Sequence, residues 1–128
     1  MDSTATADRM TRVLRIAPPV ALMALIWYLS SQPDVGPDLG AWARLATSAV
    51  HFGQFAVLFA LWWWALDRRA LPAALITLAW AGLDEIHQSW VPRRDADPID
   101  FAVDAAGILA AWLVLRAATA RSERRGTG

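Results

Sequence analysis

No cysteine and no lysine occur among the 128 residues. The first absence excludes disulfides and thiolate chemistry and leaves the compartment open. The second makes all twelve basic residues arginine, to which no mechanism attaches. Twelve acidic residues balance them, so the formal net charge is zero and there is no bulk electrostatic case for nucleic acid as a partner. Internal repeats and low-complexity tracts are missing too. So are the apolar–polar alternation that marks half-buried strands and the His-Glu-x-x-His spacing of a helical zinc site.

What remains is strongly apolar. Hydrophobic residues make up 56% of the chain and eight residues are tryptophan, more than an ordinary soluble domain carries. They gather in four runs. The first covers residues 13–31, after a tail of residues 1–12, and its Trp27 and Tyr28 suit a membrane interface. An arginine-bearing start before a short apolar core also fits a cleaved signal peptide. Ser30-Ser31-Gln32-Pro33 is a poor cleavage site, however, and a retained helix is favoured. Residues 32–40 are rich in proline, glycine and aspartate and read as a loop, and residues 41–45 as an interfacial turn with Trp42 at headgroup level. A second helix is predicted over residues 47–66, closed by Trp62-Trp63-Trp64 and Asp67-Arg68-Arg69. A third runs from 71 to about 90, with Pro72 tolerated in its first turn. Asp97-Pro98-Ile99-Asp100 reads as the start of a fourth, with an acidic N-cap, proline at N1 and an acid at N3, and this helix runs to residue 115.

A soluble bundle needs a polar stripe along each helix. Residues 55–66 and 105–115 have none. The expected fold is therefore an all-α polytopic integral membrane protein with four transmembrane helices, a membrane domain of residues 13–116 between tails of residues 1–12 and 117–128. Arginines flank the first helix (Arg9, Arg12, Arg15), fill the turn between the second and third (Arg68, Arg69) and crowd the C-terminal tail. The positive-inside rule then places both termini in the cytoplasm, in a cell (plasma) membrane.

With that topology every polar residue inside or bordering the membrane falls at one depth, on the outer side. Asp84-Glu85-Ile86-His87-Gln88 ends the third helix there; Asp84, His87 and Gln88 share a face at i, i+3, i+4, and Glu85 points roughly 100° away. Ser30, Ser31 and Gln32 end the first helix at that level, His51 lies near the start of the second, and Asp100 and Asp104 begin the fourth. Such a cluster at the end of an apolar run is costly unless something uses it. Asp100 has a competing role as a capping residue, His51 as a core histidine bonded across helices, and the cluster from Asp84 to Gln88 as a polar network that fixes packing. Asp104 lies a turn too deep to be a cap. Arg94 adds a permanent positive charge of planar, bidentate geometry suited to phosphate. The N-termini of the second and fourth helices point their dipoles at the same layer. Gly107 and Ala111 are small residues that allow close helix contact.

Ser30-Ser31-Gln32-Pro33, His51-Phe52, Asp84-Glu85-Ile86-His87-Gln88, and Val91-Pro92 with Arg94, Asp100 and Asp104 ahead of Gly107 resemble the VanZ-like membrane proteins over roughly residues 13–115. The resemblance implies a small multi-helix bacterial membrane protein, and a link to resistance against the glycopeptide teicoplanin, to which the name-giving member is tied. The chain departs from the family pattern in the second helix: Ser48 stands where a basic residue is usual, and Gln54 and Phe55 where glutamate and tyrosine are common.

Three functions compete. In an enzyme acting on an envelope lipid or lipid-linked precursor, Glu85 or Asp84 is the general base, His87 its acid or proton partner, and His51 and Asp104 complete the catalytic set. Gln32, Gln88, Arg94 and Asp100 bind substrate, with Arg94 on a phosphate. The two histidines and the carboxylates also have the chemistry to ligate a divalent metal, but the cofactor is left unknown. The alternative is a non-catalytic protein that captures a lipid headgroup or the lipid anchor of an antibiotic. A proton-linked transporter is the least favoured, because four helices leave little room for alternating access and no repeat is visible. Expected partners are membrane lipids, a lipid-linked cell-wall precursor or a lipoglycopeptide, and further copies of the chain.

Overall fold

The computed structural model describes residues 3–33, 40–94 and 96–126, with four helices: α1 (Ser3–Ser30), α2 (Ala41–Ala65), α3 (Ala70–Gln88) and α4 (Pro98–Gly126). The chain is all-α, as its apolar runs predict. Helix boundaries differ from expectation in three places. Residues 41–45, expected as a separate turn, form the first turns of α2, which starts after Gly40 at φ 61°. The tails before residue 13 and after residue 115 continue α1 and α4 as helix. Most of the predicted loop, residues 34–39, lies outside the described residues.

Local chemistry explains the ends. α4 begins where the Asp97 carboxylate accepts the backbone N–H of Ile99 at 2.9 Å, with Pro98 in the first turn. This is the predicted acidic cap, satisfying a donor the helix itself cannot. α2 ends at a tight connection in which Asp67 (φ 52°) and Arg68 (φ 65°) both take left-handed backbone. Such backbone is unfavourable for residues with a Cβ. Here it lets the chain reverse between Ala65 and Ala70. An ion pair from Arg15 of α1 to Asp67 pins that connection to the first helix.

Three helices are long and apolar enough to cross a membrane: Ala5–Ser30, Ala41–Ala65 and Pro98–Gly126. α3 is not among them. Its 19 residues reach about 28 Å, and its last five include Asp84, Glu85, His87 and Gln88. Large apolar side chains lie exposed on every helix, among them Leu25, Val57, Leu75 and Val114. Outward-facing apolar surface of this extent suits a lipid surround.

The core sits along α2, whose Phe55, Leu58, Phe59 and Trp62 meet Ile26 of α1, Ala73 and Ala81 of α3 and Ile108 of α4. α2 and α3 approach each other and both outer helices, while among the described residues the backbones of α1 and α4 stay apart. α4 approaches the α2 backbone closely at Gly107. A Cβ there would overlap the Phe52 carbonyl oxygen and lie 3.1 Å from its carbonyl carbon. Glycine is needed for α4 to lie directly on the α2 backbone.

Candidate functional site

Successive helices run antiparallel, so the end of α1, the first half of α2, the end of α3 and the start of α4 meet at one end of the bundle. The cross-helix bonds establish this: Ser30 reaches Asp84, His51 reaches Asp104, and Arg94 reaches Leu29. The polar residues read from the sequence do assemble, but in two groups.

The first group lies between α1 and α3. Asp84, 1% exposed, accepts hydrogen bonds at Oδ2 from the Ser30 hydroxyl at 2.7 Å and from the Gln88 amide at 2.8 Å. Its Oδ1 has no hydrogen-bond partner among the described residues. The predicted face shared by Asp84 and Gln88 is present, and it forms the last turns of a buried stripe that begins with Ala73, Thr77 and Ala81. His87 turns aside from it. Its ring stacks on Trp27, centroids 3.8 Å apart and planes 5° apart, and Trp27 in turn leans on Trp80. The Ser31 hydroxyl gives its single proton to the Trp27 carbonyl at 2.7 Å, so the 3.4 Å contact with His87 Nε2 makes that nitrogen the donor. His87 Nδ1 is buried and has no hydrogen-bond partner among the described residues.

The second group lies between α2 and α4. His51 Nδ1 meets Asp104 Oδ1 at 3.2 Å, both side chains almost wholly buried. Gly107, one turn further along α4, sets the close approach that makes this pair possible. Glu85 projects from α3 toward the start of α4, within electrostatic range of Asp100, Asp104 and His51. One of its oxygens is buried without a partner.

A cavity of about 270 Å³ opens beside these groups, lined by Leu29, Ser30, Ala46, Thr47, Val50, His51, Gln54 and Arg94. The Arg94 guanidinium donates through one nitrogen, Nη1, to the carbonyls of Leu29 at 3.1 Å and Gln32 at 3.2 Å, two acceptors at the frayed end of α1. Arg94 is thereby held at the cavity wall, and among the described residues its other guanidinium nitrogens make no hydrogen bond. Gln32 folds its amide back onto the Tyr28 carbonyl at 3.1 Å, as a cap on its own helix.

A family model described as VanZ/LLP1 matches residues 15–119. The chain belongs to the VanZ/LLP1 family. It is a VanZ-like membrane protein, with three candidate spans that make it multi-pass. Searches of the curated proteins and of the solved structures return no match.

Within this VanZ-like fold the expected pairing of His87 with Asp84 or Glu85 does not form; among the described residues no hydrogen bond joins them. Each faces a different neighbour: α1 for His87, the α1–α3 seam for Asp84, α4 for Glu85. The same dispersion means that no three histidine, aspartate or glutamate side chains among the described residues stand close enough to hold one metal ion. Only one of the two expected helix dipoles starts at the polar layer. α2 begins at Ala41, ten residues and about 15 Å from His51, so its free N–H groups lie outside the polar layer. Asp100 occupies the first turn of α4 below Asp97, the residue that makes the cap. Three cavity or network residues escaped the reading of the sequence as site members: Ser30, Thr47 and Gln54. Ser30 was signalled by its place in a polar helix end; Thr47 and Gln54 lie at i−4 and i+3 from His51, a spacing that puts them on its face.

Proposed function

We propose that the polar end of the bundle is a headgroup site for a phosphate-bearing lipid or lipid-linked precursor of the bacterial cell envelope. The observation that carries this reading is the cavity whose wall includes both Arg94 and His51, together with Ser30, Thr47 and Gln54. Arg94 supplies a permanent charge and planar donors for a phosphate. The hydroxyls and the amide supply neutral partners for the rest of a headgroup. Acyl chains extend along the exposed apolar flanks of α1 and α2, Leu25 and Val50 among them. The arginine distribution supports the outer leaflet of the plasma membrane as the setting, with α3 completing a fourth crossing and both termini inside. A lipid-linked cell-wall precursor, or the acyl anchor of a lipoglycopeptide, fits the same description and gives the family's glycopeptide link a physical route.

A second reading, acid–base catalysis on the bound lipid, is favoured by one feature. Asp104 engages Nδ1 of His51 and leaves Nε2 as the ring nitrogen for a cavity occupant, the arrangement in which a carboxylate orients an imidazole for proton transfer. His51 replaces His87 as the proton carrier, and Asp104 acts as its positioning residue.

Cells carrying wild type, Arg94→Gln, His51→Gln or Asp104→Asn at matched membrane levels separate the two readings. Lipids that copurify with the protein and the total envelope lipids are both read by mass spectrometry. Headgroup binding predicts a copurifying species that Arg94→Gln loses. Catalysis adds a change in total lipids that His51→Gln and Asp104→Asn abolish while the copurifying species stays. If no lipid is enriched over the bulk pool and Arg94→Gln changes nothing, the site is not a headgroup site.

A further inference from the structure

The opposite end of the bundle holds a second cavity, of about 380 Å³, between the α2–α3 connection and the last turns of α4. Two guanidiniums face it. Arg68 stands 5.5 Å from the centroid of the Trp63 ring, and Arg116 stands 5.2 Å from that of Trp112. All four residues line the cavity, with Thr119 and Glu123. From these observations we propose that this cavity is a second, independent anion site, binding the phosphate of an anionic phospholipid headgroup in the leaflet opposite the polar end.

Three features support it. Neither Arg68 nor Arg116 has a salt-bridge carboxylate among the described residues, and Asp67, the acid next to Arg68, is taken by Arg15. The positive charge at the cavity is therefore not cancelled locally by Asp67, and Glu123 is the single acid on its wall against two guanidiniums. The tryptophan faces hold the guanidiniums by cation–π contact, which fixes their planes while leaving the N–H edges to donate. Finally, the left-handed backbone that reverses the chain at Asp67 and Arg68 also brings the Arg68 side chain to the cavity wall. Tryptophan and arginine grouped together mark headgroup depth, and basic pockets between helices are where phosphate headgroups bind. Phosphate is the shared chemistry of a phospholipid and a soluble phosphate; the exposed apolar side chain of Leu113, on the flank of α4 next to the face that carries Trp112 and Arg116, favours the lipid.

The test uses the full chain in detergent, titrated with phosphatidylglycerol, with phosphatidylcholine and with inorganic phosphate, and read by native mass spectrometry. Phosphatidylglycerol should be retained over phosphatidylcholine, and the double variant Arg68→Gln/Arg116→Gln should lower that retention about tenfold or more. Arg121→Gln, outside the cavity, should leave it unchanged. Arg68→Lys/Arg116→Lys, which keeps the charge without the planar fork, should fall between and guards against misfolding of the glutamine variant. Inorganic phosphate that displaces the lipid at equal concentration, with the same arginine dependence, upholds the anion site and overturns the lipid as its occupant. Equal retention of phosphatidylcholine, or a folded double variant that still selects phosphatidylglycerol, overturns the proposal. Because the polar-end cavity contains neither arginine, a lipid lost in Arg94→Gln and one lost in the double variant report on different sites.

Discussion

Asp84 bears a demanding position, a carboxyl group with almost no exposure at the seam of α1 and α3. What makes it tolerable is Oδ2, where a hydroxyl from α1 and an amide from one turn along α3 both donate. Replacement by asparagine keeps an acceptor for both donors and should cost less than about 1 kcal/mol. Leucine leaves the Ser30 hydroxyl and the Gln88 amide buried without an acceptor, and should cost roughly 1–2 kcal/mol. Thermal unfolding of the detergent-solubilised variants measures the difference; a leucine variant as stable as the asparagine one would mean that the network does not hold α1 to α3. At this scale the sequence was only half legible. Residue types along one helix fix which side chains share a face, and Asp84 with Gln88 follow that rule. They do not fix what each face meets. Glu85 and His87 were adjacent enough to suggest a pair, yet the ring of His87 buries itself against Trp27, because a flat stack on an indole suits an imidazole on the side of α3 that faces α1.

Among elements, α2 and α4 form the contact on which the His51–Asp104 pair depends, and Gly107 controls it. Alanine at 107 meets backbone, which cannot swing away as a side chain would, so α4 must shift from α2. The expected loss is about 1–3 kcal/mol, with a weakened His51–Asp104 pair. Gly53→Ala is the internal control: a Cβ at that position meets nothing within 4 Å, and relief of glycine's conformational freedom should make it neutral or stabilising by up to about 1 kcal/mol. Melting points of the two variants, set beside the copurifying lipid of each, test the contact; a Gly107→Ala protein that melts and binds like wild type would show that the helices repack without penalty. The existence of each helix was legible because long runs without polar residues have no other stable form in lipid. The starts were legible only where side chains mark them. Asp97-Pro98 announces α4 by capping. Gly40 announces α2 by backbone conformation alone, without a side-chain cap, and Trp42 to Leu45 look interfacial whether coiled or helical.

At the scale of the whole molecule, the two ends differ in what they offer a membrane. One end gathers buried acids, histidines and Arg94; the other gathers Arg15, Arg68 and Arg116, each over a tryptophan ring. Positive charge opposes translocation, so the tryptophan-backed end should remain inside and the acidic end should reach the outer face, although α3 is too polar at its last turns to qualify as a span by composition. The absence of cysteine makes this orientation directly measurable, since any introduced thiol is the only one in the chain. Ala96→Cys lies in the exposed connection before α4 and Ser122→Cys in the exposed last turns of α4. In intact cells a membrane-impermeant maleimide should label residue 96 and spare residue 122, with residue 122 labelled only after permeabilisation. The reverse pattern turns the molecule over and moves the proposed headgroup site to the inner leaflet. Labelling of both in intact cells would mean that α4 does not cross, and the membrane arrangement proposed for both cavities would fail with it.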